Sequence, residues 1–483
     1  MIGISKRKTK IVATIGPASR SAEKVAAIIA AGANVFRLNF SHGTHEEHSE
    51  TLKTIREQAA LAGVTVAILQ DLCGPKVRIT VIEGGETTLH DGSQIILRHG
   101  NKKEFSSSSE LIVDAFDPAK VMRKGQKALL ADGRVELHAT KVETDRVICD
   151  IVSGGPLRGR SGIALPDSRL DLPCLTEKDL EDAIWGVKHE VDYIALSFVS
   201  SAADVNSLRE HIAAQGAKIP IIAKIERSQA LDNLTEIVGV ANAVMVARGD
   251  LGLELPLERV PIAQKFIIDQ ANFVGTPVIT ATQMLQSMVS EVRPTRAEVS
   301  DVCTAVLDGT DAVMLSEETA IGKHPIEAVK YLHKILLNSE QEFQFEERSS
   351  KIKGSDRDSV ADATCFAACG AASKIDSTAI VACTNSGYTA RLVAKYRPRQ
   401  VLFGATSEPK TLGRMALYWG VQPVLFSIKE DTMAESEIVS ALTTIREKYG
   451  VKPGSRIVVT AGLRAKKSGT TNLMEIREVP RNT

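Results

Sequence analysis

Polar side chains that can bind phosphate or a metal ion stand at the ends of short apolar segments in the first two thirds of this sequence. Arginine, lysine, carboxylate and hydroxyl groups are the side chains that hold phosphate and hard cations such as Mg²⁺. The apolar segments are typical of strands buried on both faces. If these strands form one parallel barrel, their carboxyl ends meet on one face, which predicts one shared active site. The polar ends are residues 37–41, 70–71, 197, 224–226, 248–250, 280–282 and 316–319.

Glu226 and Asp250 are the carboxylates of this set that best suit a divalent cation. They follow two consecutive strands, and two carboxylates leave positions on an octahedral Mg²⁺ for water and substrate oxygens. Lys224 lies two residues before Glu226 and therefore points to the same side of its strand. An ammonium beside a metal can stabilise a phosphoryl group in transfer and an enolate oxygen. The alternatives are solvated carboxylates at the barrel rim and a structural Lys–Glu pair.

Arg37, Asn39 and Ser41 alternate along the second apolar segment, so all three point to one side of a strand. A guanidinium at such a position suits a phosphate group, which it binds with two parallel hydrogen bonds. The alternative is that these three residues are polar side chains that only fill the mouth of a barrel.

Apolar segments alternate with helical patterns along this part of the chain. Eight strands separated by helices predict a (β/α)₈ barrel, or TIM barrel, and an α/β fold class. Thr176-x-x-Asp179 and Thr295-x-x-Glu298 resemble capping boxes, and Pro325 suits a first helical turn. The predicted strands are residues 10–16, 34–41, 66–72, 193–198, 221–226, 243–248, 277–282 and 311–316. The predicted helices are residues 22–31, 45–61, 177–189, 202–214, 257–273, 296–307 and 325–337.

A long connection between the third strand and the next helix interrupts this rhythm. Its residues alternate between apolar and polar, and glycine pairs such as Gly84-Gly85 punctuate it, which predicts a small all-β domain. An insertion on the active face of a barrel is well placed to act as a lid. The predicted strands of this lid are residues 76–81, 93–98, 127–130, 134–139 and 147–152.

The last third of the chain predicts a separate α/β domain. A polar stretch at residues 346–351 predicts a linker. Strands alternating with helices then resume, with strands near 379–383, 401–405, 421–426, 457–460 and 473–479. A length of this kind is usual for one domain. The predicted domains are a barrel at residues 1–74 and 166–342, a β lid at 75–165 and a C-terminal α/β domain at 343–483.

Composition excludes several classes of protein. The chain has 483 residues, 43% of them hydrophobic, and 59 Lys and Arg balance 59 Asp and Glu. This balance argues against a nucleic-acid-binding surface, and the chain has no apolar run long enough to cross a membrane, so a cytoplasmic protein is expected. The 7 cysteines lack the paired spacing of a zinc site and are expected to be reduced thiols.

The motifs at the strand ends are dense enough to reveal a family. In their order along essentially the whole chain, including the β lid and the C-terminal domain, they resemble the pyruvate kinases. The resemblance implies transfer of the phosphoryl group of phosphoenolpyruvate to ADP, giving pyruvate and ATP, with Mg²⁺ or Mn²⁺ as cofactor, in the last step of glycolysis. The motifs are Arg37-Leu38-Asn39-Phe40-Ser41-His42-Gly43, Asp71-x-x-Gly74-Pro75-x-Val77-Arg78, Ala223-Lys224-Ile225-Glu226, Met245-Val246-Ala247-Arg248-Gly249-Asp250-Leu251-Gly252, Ala281-Thr282-Gln283-Met284 and Met314-Leu315-Ser316-x-Glu318-Thr319-Ala320.

The resemblance also implies roles for individual residues. Arg37, Lys224 and Thr282 are expected to be catalytic, and Thr282 would act through a water because a hydroxyl is too weak an acid to protonate carbon directly. A threonine that caps a turn is the alternative for Thr282. The implied binding residues are Glu226 and Asp250 for Mg²⁺; Arg37, Lys224, Gly249, Asp250 and Thr282 for phosphoenolpyruvate; Asn39, His42 and Arg78 for the nucleotide; and Asn39, Ser41, Asp71 and the Leu72 carbonyl for a monovalent cation.

Lys76 departs from the commonest family pattern. K⁺-dependent pyruvate kinases carry Glu at the position of Lys76 in Gly74-Pro75-Lys76-Val77-Arg78, and a lysine resembles the K⁺-independent group. A fixed ammonium could supply the charge that the mobile ion otherwise provides. Activity without K⁺ is therefore expected.

The C-terminal domain carries a candidate effector loop. Its hydroxyl-rich residues follow a strand and open a helix, an arrangement that captures phosphate groups, although an ordinary N-cap is the alternative. The resemblance implies a sugar-phosphate effector, a second effector segment at 464–469, and a homotetramer. The loop residues are Thr384, Asn385, Ser386, Gly387 and Thr389.

Two other functions stay open at this level. Another metal-enolate barrel enzyme, such as an aldolase, would share the carboxylate pair but would not need Arg37, Arg78 and a lid. A non-enzymatic effector sensor would keep the C-terminal loop, but its catalytic face should have decayed. His42, His45 and His48 are expected to lie at the start of a helix rather than to bind a metal.

Overall fold

The computed structural model describes residues 5–168, 170, 173–343, 345, 359–427, 434–462 and 471–479. The strands are β1 Lys10–Thr14, β2 Val35–Asn39, β3 Ala67–Asp71, β4 Glu86–Leu89, β5 Gln94–His99, β6 Glu110–Val113, β7 Lys127–Leu130, β8 Val135–Val142, β9 Arg146–Ser153, β10 Gly155–Arg158, β11 Ile163–Ala164, β12 Tyr193–Leu196, β13 Ile221–Ile225, β14 Ala243–Ala247, β15 Val278–Ala281, β16 Ala312–Leu315, β17 Ala379–Cys383, β18 Val401–Thr406, β19 Val421–Leu425, β20 Arg456–Ala461 and β21 Leu473–Glu478.

The α-helices surround the barrel and cover the C-terminal sheet, except for the helix at Pro118–Val121, which packs on β5 and β9 of the inserted segment. Three short 3₁₀ turns, at Leu257–Arg259, Gln286–Val289 and Glu340–Glu342, add to them. The α-helices are α1 Ala22–Ala30, α2 His45–Ala62, α3 Pro118–Val121, α4 Glu177–Lys188, α5 Ala202–Ala214, α6 Ser228–Asp232, α7 Leu234–Val240, α8 Arg248–Glu254, α9 Val260–Val274, α10 Arg296–Asp308, α11 Glu317–Ala320, α12 Pro325–Ser339, α13 Val360–Lys374, α14 Tyr388–Lys395, α15 Pro409–Met415 and α16 Ala434–Tyr449.

The predicted (β/α)₈ barrel is confirmed. Eight strands close in the order β1-β16-β15-β14-β13-β12-β3-β2, and every neighbouring pair is parallel. Side chains alternate between two cores, since Ile11 and Ala13 pack toward the helices and Val12 packs toward the barrel interior. Burial on both faces explains why these strands are almost entirely apolar. The barrel therefore collects the carboxyl ends of its strands on one face.

Hydrophobic periodicity, capping motifs and proline positions predicted most of the longer helices correctly. Thr176 with Asp179 and Thr295 with Glu298 form capping boxes, and Pro325 lies in the first turn of α12, as predicted. Sequence periodicity missed the short helices α3, α8 and α11, and it also missed the pair α6 and α7. Each is short, and a break at Asn233 separates them, so no window is long enough to show a helical period.

The inserted segment forms the predicted β structure. Its main sheet has the strand order β11-β7-β8-β9-β5-β6, and β10 pairs with β4 in a second, two-stranded sheet. The predicted strand at 76–81 is wrong, because Arg78 and Ile79 form only isolated bridges. The backbone N–H of Ile79 donates to Ser161 O while that of Thr80 donates to Ile112 O, so no single partner strand continues the ladder.

The C-terminal domain is a second layered α/β unit. Its sheet has the order β19-β18-β17-β20-β21, with β21 antiparallel at one edge. The predicted strands of this domain are confirmed to within a residue or two at each end. The predicted linker at 346–351 lies outside the described residues, and the exact domain boundaries stay predictions.

Two expectations from composition can be compared with the structure. All seven cysteines are free thiols, and Cys149, Cys174, Cys365, Cys369 and Cys383 are buried. Among the described helices, none combines the length and the apolar composition needed to cross a bilayer.

The C-terminal domain packs against the amino-terminal face of the barrel, opposite the strand ends that carry polar residues. The buried Arg397 guanidinium contacts Asp311 Oδ1 at 2.8 Å and Asn272 Oδ1 at 2.7 Å. The other oxygen of Asp311 accepts a hydrogen bond from the Val278 N–H, at the start of β15. Arg397 also lies over the Trp419 ring, 4.9 Å from its centroid. One buried cation thus joins the C-terminal domain to two barrel strands.

A glycine in α15 allows a close approach at this junction. A Cβ at Gly413 would lie 1.8 Å from Asp192 Oδ1, and Asp192 is held in place because its Oδ2 accepts from the Ile68 N–H at 2.7 Å. Gly370, in the middle of α13, has nothing within 4 Å of the corresponding position. The same substitution at these two helical glycines therefore compares a crowded position, Gly413, with an open one, Gly370.

We expect Gly413→Ala to lower the free energy of unfolding by about 1–3 kcal/mol, because the added methyl overpacks the junction. Gly370→Ala should raise it by about 0.5–1 kcal/mol, because alanine is the better residue in an open helix. Urea denaturation followed by circular dichroism measures both. Equal effects of the two substitutions would contradict the close packing of α15 on the barrel.

Candidate active site

A continuous chain of alternating charges crosses the carboxyl face of the barrel. Arg37 Nε lies 2.6 Å from Asp71 Oδ2, and Asp71 Oδ1 lies 3.2 Å from Lys224 Nζ. Lys224 Nζ in turn lies 2.9 Å from Glu226 Oε1. These residues come from β2, β3 and the end of β13, so the closed barrel brings distant parts of the sequence together. The prediction that Lys224 and Glu226 share one side of their strand is confirmed.

Burial and pairing set the charges of this chain. Burial lowers the pKa of the Lys224 ammonium, but the carboxylates of Asp71 and Glu226 raise it more, so its pKa lies above the ordinary value. Burial raises the pKa of Asp71, but Arg37 and Lys224 outweigh it, so the pKa of Asp71 is lowered. Lys224 and Asp71 are therefore charged at neutral pH.

Glu226 is the residue of this row of charges whose charged form is disfavoured, because its pKa is raised. Burial, reinforced by the nearby carboxylate of Asp250, raises its pKa although Lys224 opposes the change. Its Oε2 accepts from the Phe198 N–H at 2.6 Å, while the buried Oε1 faces the Lys224 ammonium at 2.9 Å. A cation bound between Glu226 and Asp250 would relieve the repulsion between the two carboxylates.

Glu226 and Asp250 meet in a cavity of about 280 Å³ between the barrel and the lid. Asp250 lies in the first turn of α8, directly after β14, and β14 is the neighbour of β13. Across the part of the chain that the structure describes, no group of three or more His, Cys, Asp or Glu side chains could hold a metal ion. Two carboxylates facing an open cavity fit Mg²⁺, which keeps water and substrate oxygens in its shell.

A strained turn holds Glu226 from the side of β12. Phe198, whose backbone N–H binds Glu226, has φ +55°, a left-handed conformation unusual outside glycine. Gly74 packs against this turn so closely that a Cβ there would lie 2.8 Å from Ser197 Cβ and from the Phe198 ring. The sequence analysis placed Ser197 among the polar strand ends, but it gave Phe198 no role because a phenyl side chain carries no polar group.

Thr282 is held by the loop that follows β14. Its Oγ accepts from the Gly249 N–H at 2.8 Å and donates to Ala281 O at 2.6 Å. Arg248 Nη2 donates to Thr282 O at 2.6 Å, and the Asp301 carboxylate in α10 fixes Arg248 through contacts of 2.8 and 2.6 Å. These contacts maintain Thr282 at φ +71°. Asp301 was missed because it lies in mid-helix, with no local signal.

Internal hydrogen bonds hold part of the set predicted to bind a monovalent cation, while Lys76 contacts a carboxylate outside that set. Asn39 Oδ1 accepts from the Ser41 N–H at 3.2 Å, and the Leu72 carbonyl accepts from the Ser197 hydroxyl at 2.7 Å. Lys76 Nζ instead lies 3.9 Å from Asp250 Oδ1, inside the cavity. Lys76 is thus placed beside the predicted Mg²⁺ carboxylates.

The residues predicted to bind the nucleotide, Asn39, His42 and Arg78, are not among the residues that line this cavity, although Arg78 directly follows Val77, which does. Arg78, at the base of the lid, donates to Arg160 O at 2.9 Å. The exposed His42 precedes α2, and its carbonyl is 2.9 Å from His48 Nε2. His45 pairs with Asp182 at 2.7 Å. The histidines lie around the start of a helix, as predicted.

The candidate effector loop opens α14, as predicted. Gly387, at φ +85°, is the N-cap, and its N–H donates to Thr384 Oγ at 3.0 Å. Thr389 Oγ lies 2.7 Å from Thr471 Oγ, and Asn385 O accepts from the Thr411 hydroxyl. The second predicted effector segment, at 464–469, lies outside the described residues.

Comparisons with known proteins agree with this arrangement. Residues 6–329 match the family model described as "Pyruvate kinase, barrel domain", and residues 362–477 match "Pyruvate kinase, alpha/beta domain". The pyruvate kinase of Geobacillus stearothermophilus is 42% identical over 98% of this chain and 81% of its own length. The pyruvate kinase of Staphylococcus aureus strain USA300 is 42% identical over 98% of this chain and 80% of its own length.

We expect Glu226→Gln to weaken Mn²⁺ binding by at least about tenfold, because an amide oxygen replaces one of two carboxylate ligands. Glu254→Gln is the matched control, since Glu254 also lines the cavity and burial also raises its pKa. Electron paramagnetic resonance of bound Mn²⁺ measures both affinities, and circular dichroism checks the fold. An unchanged affinity in Glu226→Gln would contradict the assigned cation site.

Proposed function

This chain belongs to the pyruvate kinase family and is an enzyme of that family, and from this premise we propose that it transfers the phosphoryl group of phosphoenolpyruvate to ADP in a Mg²⁺- or Mn²⁺-dependent reaction. The products would be pyruvate and ATP, in the last step of cytoplasmic glycolysis. The observation that carries the proposal is the buried chain Arg37–Asp71–Lys224–Glu226 beside the open cavity. The other metal-enolate barrel enzymes weighed above would not need Arg37 and a lid.

Arg37 and Lys224 would hold the phosphoryl group during transfer. Asp71 accepts from Arg37 Nε at 2.6 Å and Thr14 Oγ accepts from Nη1 at 3.2 Å, which leaves Nη2 for a phosphate oxygen. Lys224 places a permanent positive charge where negative charge develops on the phosphoryl group and on the enolate oxygen. Bound by Glu226 and Asp250, Mg²⁺ would neutralise charge on the same groups.

Thr282 would act in the protonation of the enolate. Its hydroxyl proton is engaged with Ala281 O, and a hydroxyl pKa far above neutrality prevents direct donation. A water held by Thr282 is therefore the proposed proton relay. Gly249 and Asp250 would bind the substrate beside this threonine, since the Gly249 N–H already reaches its Oγ.

Activity without K⁺ is part of the proposal, and the position of Lys76 supports it. Its ammonium lies in the cavity, 3.9 Å from Asp250 Oδ1, where a positive charge can act on bound phosphate oxygens. Asn39, Ser41, Asp71 and the Leu72 carbonyl are all present in this chain, so weak binding of a monovalent cation at this set is part of the proposal.

Regulation by a phosphorylated metabolite is the second part of the proposal. The hydroxyls of Thr384 and Thr389 lie at the start of α14, where backbone N–H groups favour an anion. Family membership supports a sugar phosphate as the ligand of this loop. Nucleotide binding at Asn39, His42 and Arg78 is proposed on the same basis.

Assembly into a homotetramer is supported by exposed apolar side chains on the barrel. Leu257, Ile262 and Phe266 are exposed along the 3₁₀ turn and the first half of α9, which suits burial against another subunit. Ile476 and Met474 are exposed on the edge strand β21. We propose that both surfaces contact further copies of the chain.

We expect purified protein to form pyruvate from phosphoenolpyruvate and ADP when Mg²⁺ is present in K⁺-free buffer. Removal of Mg²⁺ should abolish turnover, and Lys224→Met should lower kcat by at least about a hundredfold, because it removes the buried cation. Pyruvate is measured by coupling to NADH oxidation. Absence of turnover in the wild type, with sugar phosphates also added, would overturn the proposed function.

We expect Lys76→Glu to lower kcat in K⁺-free buffer by about tenfold or more, and KCl to restore most of it, because a mobile cation would replace the lost charge. Lys141→Glu changes the same charge on the exposed part of the lid and is the control. Tetramethylammonium chloride keeps ionic strength constant. Loss that KCl does not restore would contradict the role given to Lys76.

A further inference from the structure

The Ser197 hydroxyl lies closer to the Lys224 ammonium than either carboxylate does. The Lys224 ammonium donates a hydrogen bond to Ser197 Oγ at 2.6 Å. Ser197 donates its own proton to the Leu72 carbonyl at 2.7 Å, so its oxygen must accept from the ammonium. The direction of both hydrogen bonds is therefore fixed by the chemistry of the groups.

The other two partners of Lys224 are less suited to fix its position. The oxygens of Asp71 and Glu226 that face the ammonium form ion pairs of 3.2 and 2.9 Å, both longer than the 2.6 Å hydrogen bond to Ser197. Asp71 is shared with Arg37, and a divalent cation at Glu226 would compete for that carboxylate. The Ser197 hydroxyl carries no charge, so a metal ion does not attract it as it attracts a carboxylate.

The backbone around Ser197 keeps this hydroxyl in place. Ser197 is 1% exposed, and its carbonyl accepts from Cys174 Sγ at 3.0 Å. The next residue, Phe198, binds Glu226 through its N–H, and Gly74 packs directly against the turn. One turn after β12 thus holds Lys224 through a side chain and Glu226 through the backbone.

We infer that Ser197 is a positioning residue that directs the Lys224 ammonium toward the transferring phosphoryl group and keeps it there when a metal ion engages Glu226. The inference rests on the proposed function for its kinetic consequence. Through the Leu72 carbonyl, Ser197 also connects Lys224 to one of the oxygens predicted to bind a monovalent cation.

The test compares Ser197→Ala with Ser339→Ala. Ser339 is also buried, and its hydroxyl donates to a carbonyl, Ile335 O at 2.8 Å, within helix α12. Ser197→Ala should lower kcat roughly tenfold to a hundredfold, as expected for a misplaced catalytic group, with KM for phosphoenolpyruvate changed by less than about threefold. Ser339→Ala should leave kcat unchanged, whatever its effect on thermal stability.

Crystal structures of both variants supply a measurement that does not depend on turnover. In Ser197→Ala the Lys224 ammonium should move toward the carboxylates or lose its single position, while Ser339→Ala should leave it in place. A kcat within about twofold of the wild type, or an unmoved ammonium, would overturn the inference. An inactive wild type would overturn the proposed function alone. The position of Lys224 in the two variant crystal structures would still show whether Ser197 keeps the ammonium in place.

Discussion

The burial of four charges in a row at the carboxyl face of the barrel constrains the rest of this structure. A buried ion pair is costly to form, and removing one partner leaves an uncompensated charge. Arg37, Asp71, Lys224 and Glu226 avoid that outcome because their signs alternate and each contacts the next. The chain of charges has a negative end at Glu226, beside Asp250 and the open cavity, where a cation would complete it.

The backbone around these charges is held in conformations that it would not adopt alone. Phe198 and Thr282 both have positive φ, and each is kept there by contacts with a functional group or loop. Strained residues of this kind persist where the surrounding structure determines them, and they occur often at active sites. Gly74 contributes by lacking a side chain, which lets the lid connection pass directly over the turn at Ser197.

On the opposite face of the barrel, the C-terminal domain contacts the other ends of strands that carry active-site residues. Arg397 contacts Asp311, which directly precedes β16, and the Asp311 carboxylate accepts a hydrogen bond from Val278, the first residue of β15. The far end of β15 carries Thr282, and α14, which ends just before Arg397, begins at the candidate effector loop. Short barrel strands therefore connect the junction with the C-terminal domain to the catalytic face.

The sequence by itself determined the barrel, the β insertion, the C-terminal α/β domain and the residues of the charge chain, because periodicity and motif are local properties. Lys224 and Glu226 could be paired in advance, since two residues on one strand face the same way. Only the tertiary structure decided that Ser197 hydrogen-bonds Lys224, that Asp301 fixes Arg248 and that Lys76 lies beside Asp250. Such contacts join residues from different strands, helices and domains, and their distances depend on barrel closure and lid position, which no short stretch of sequence encodes.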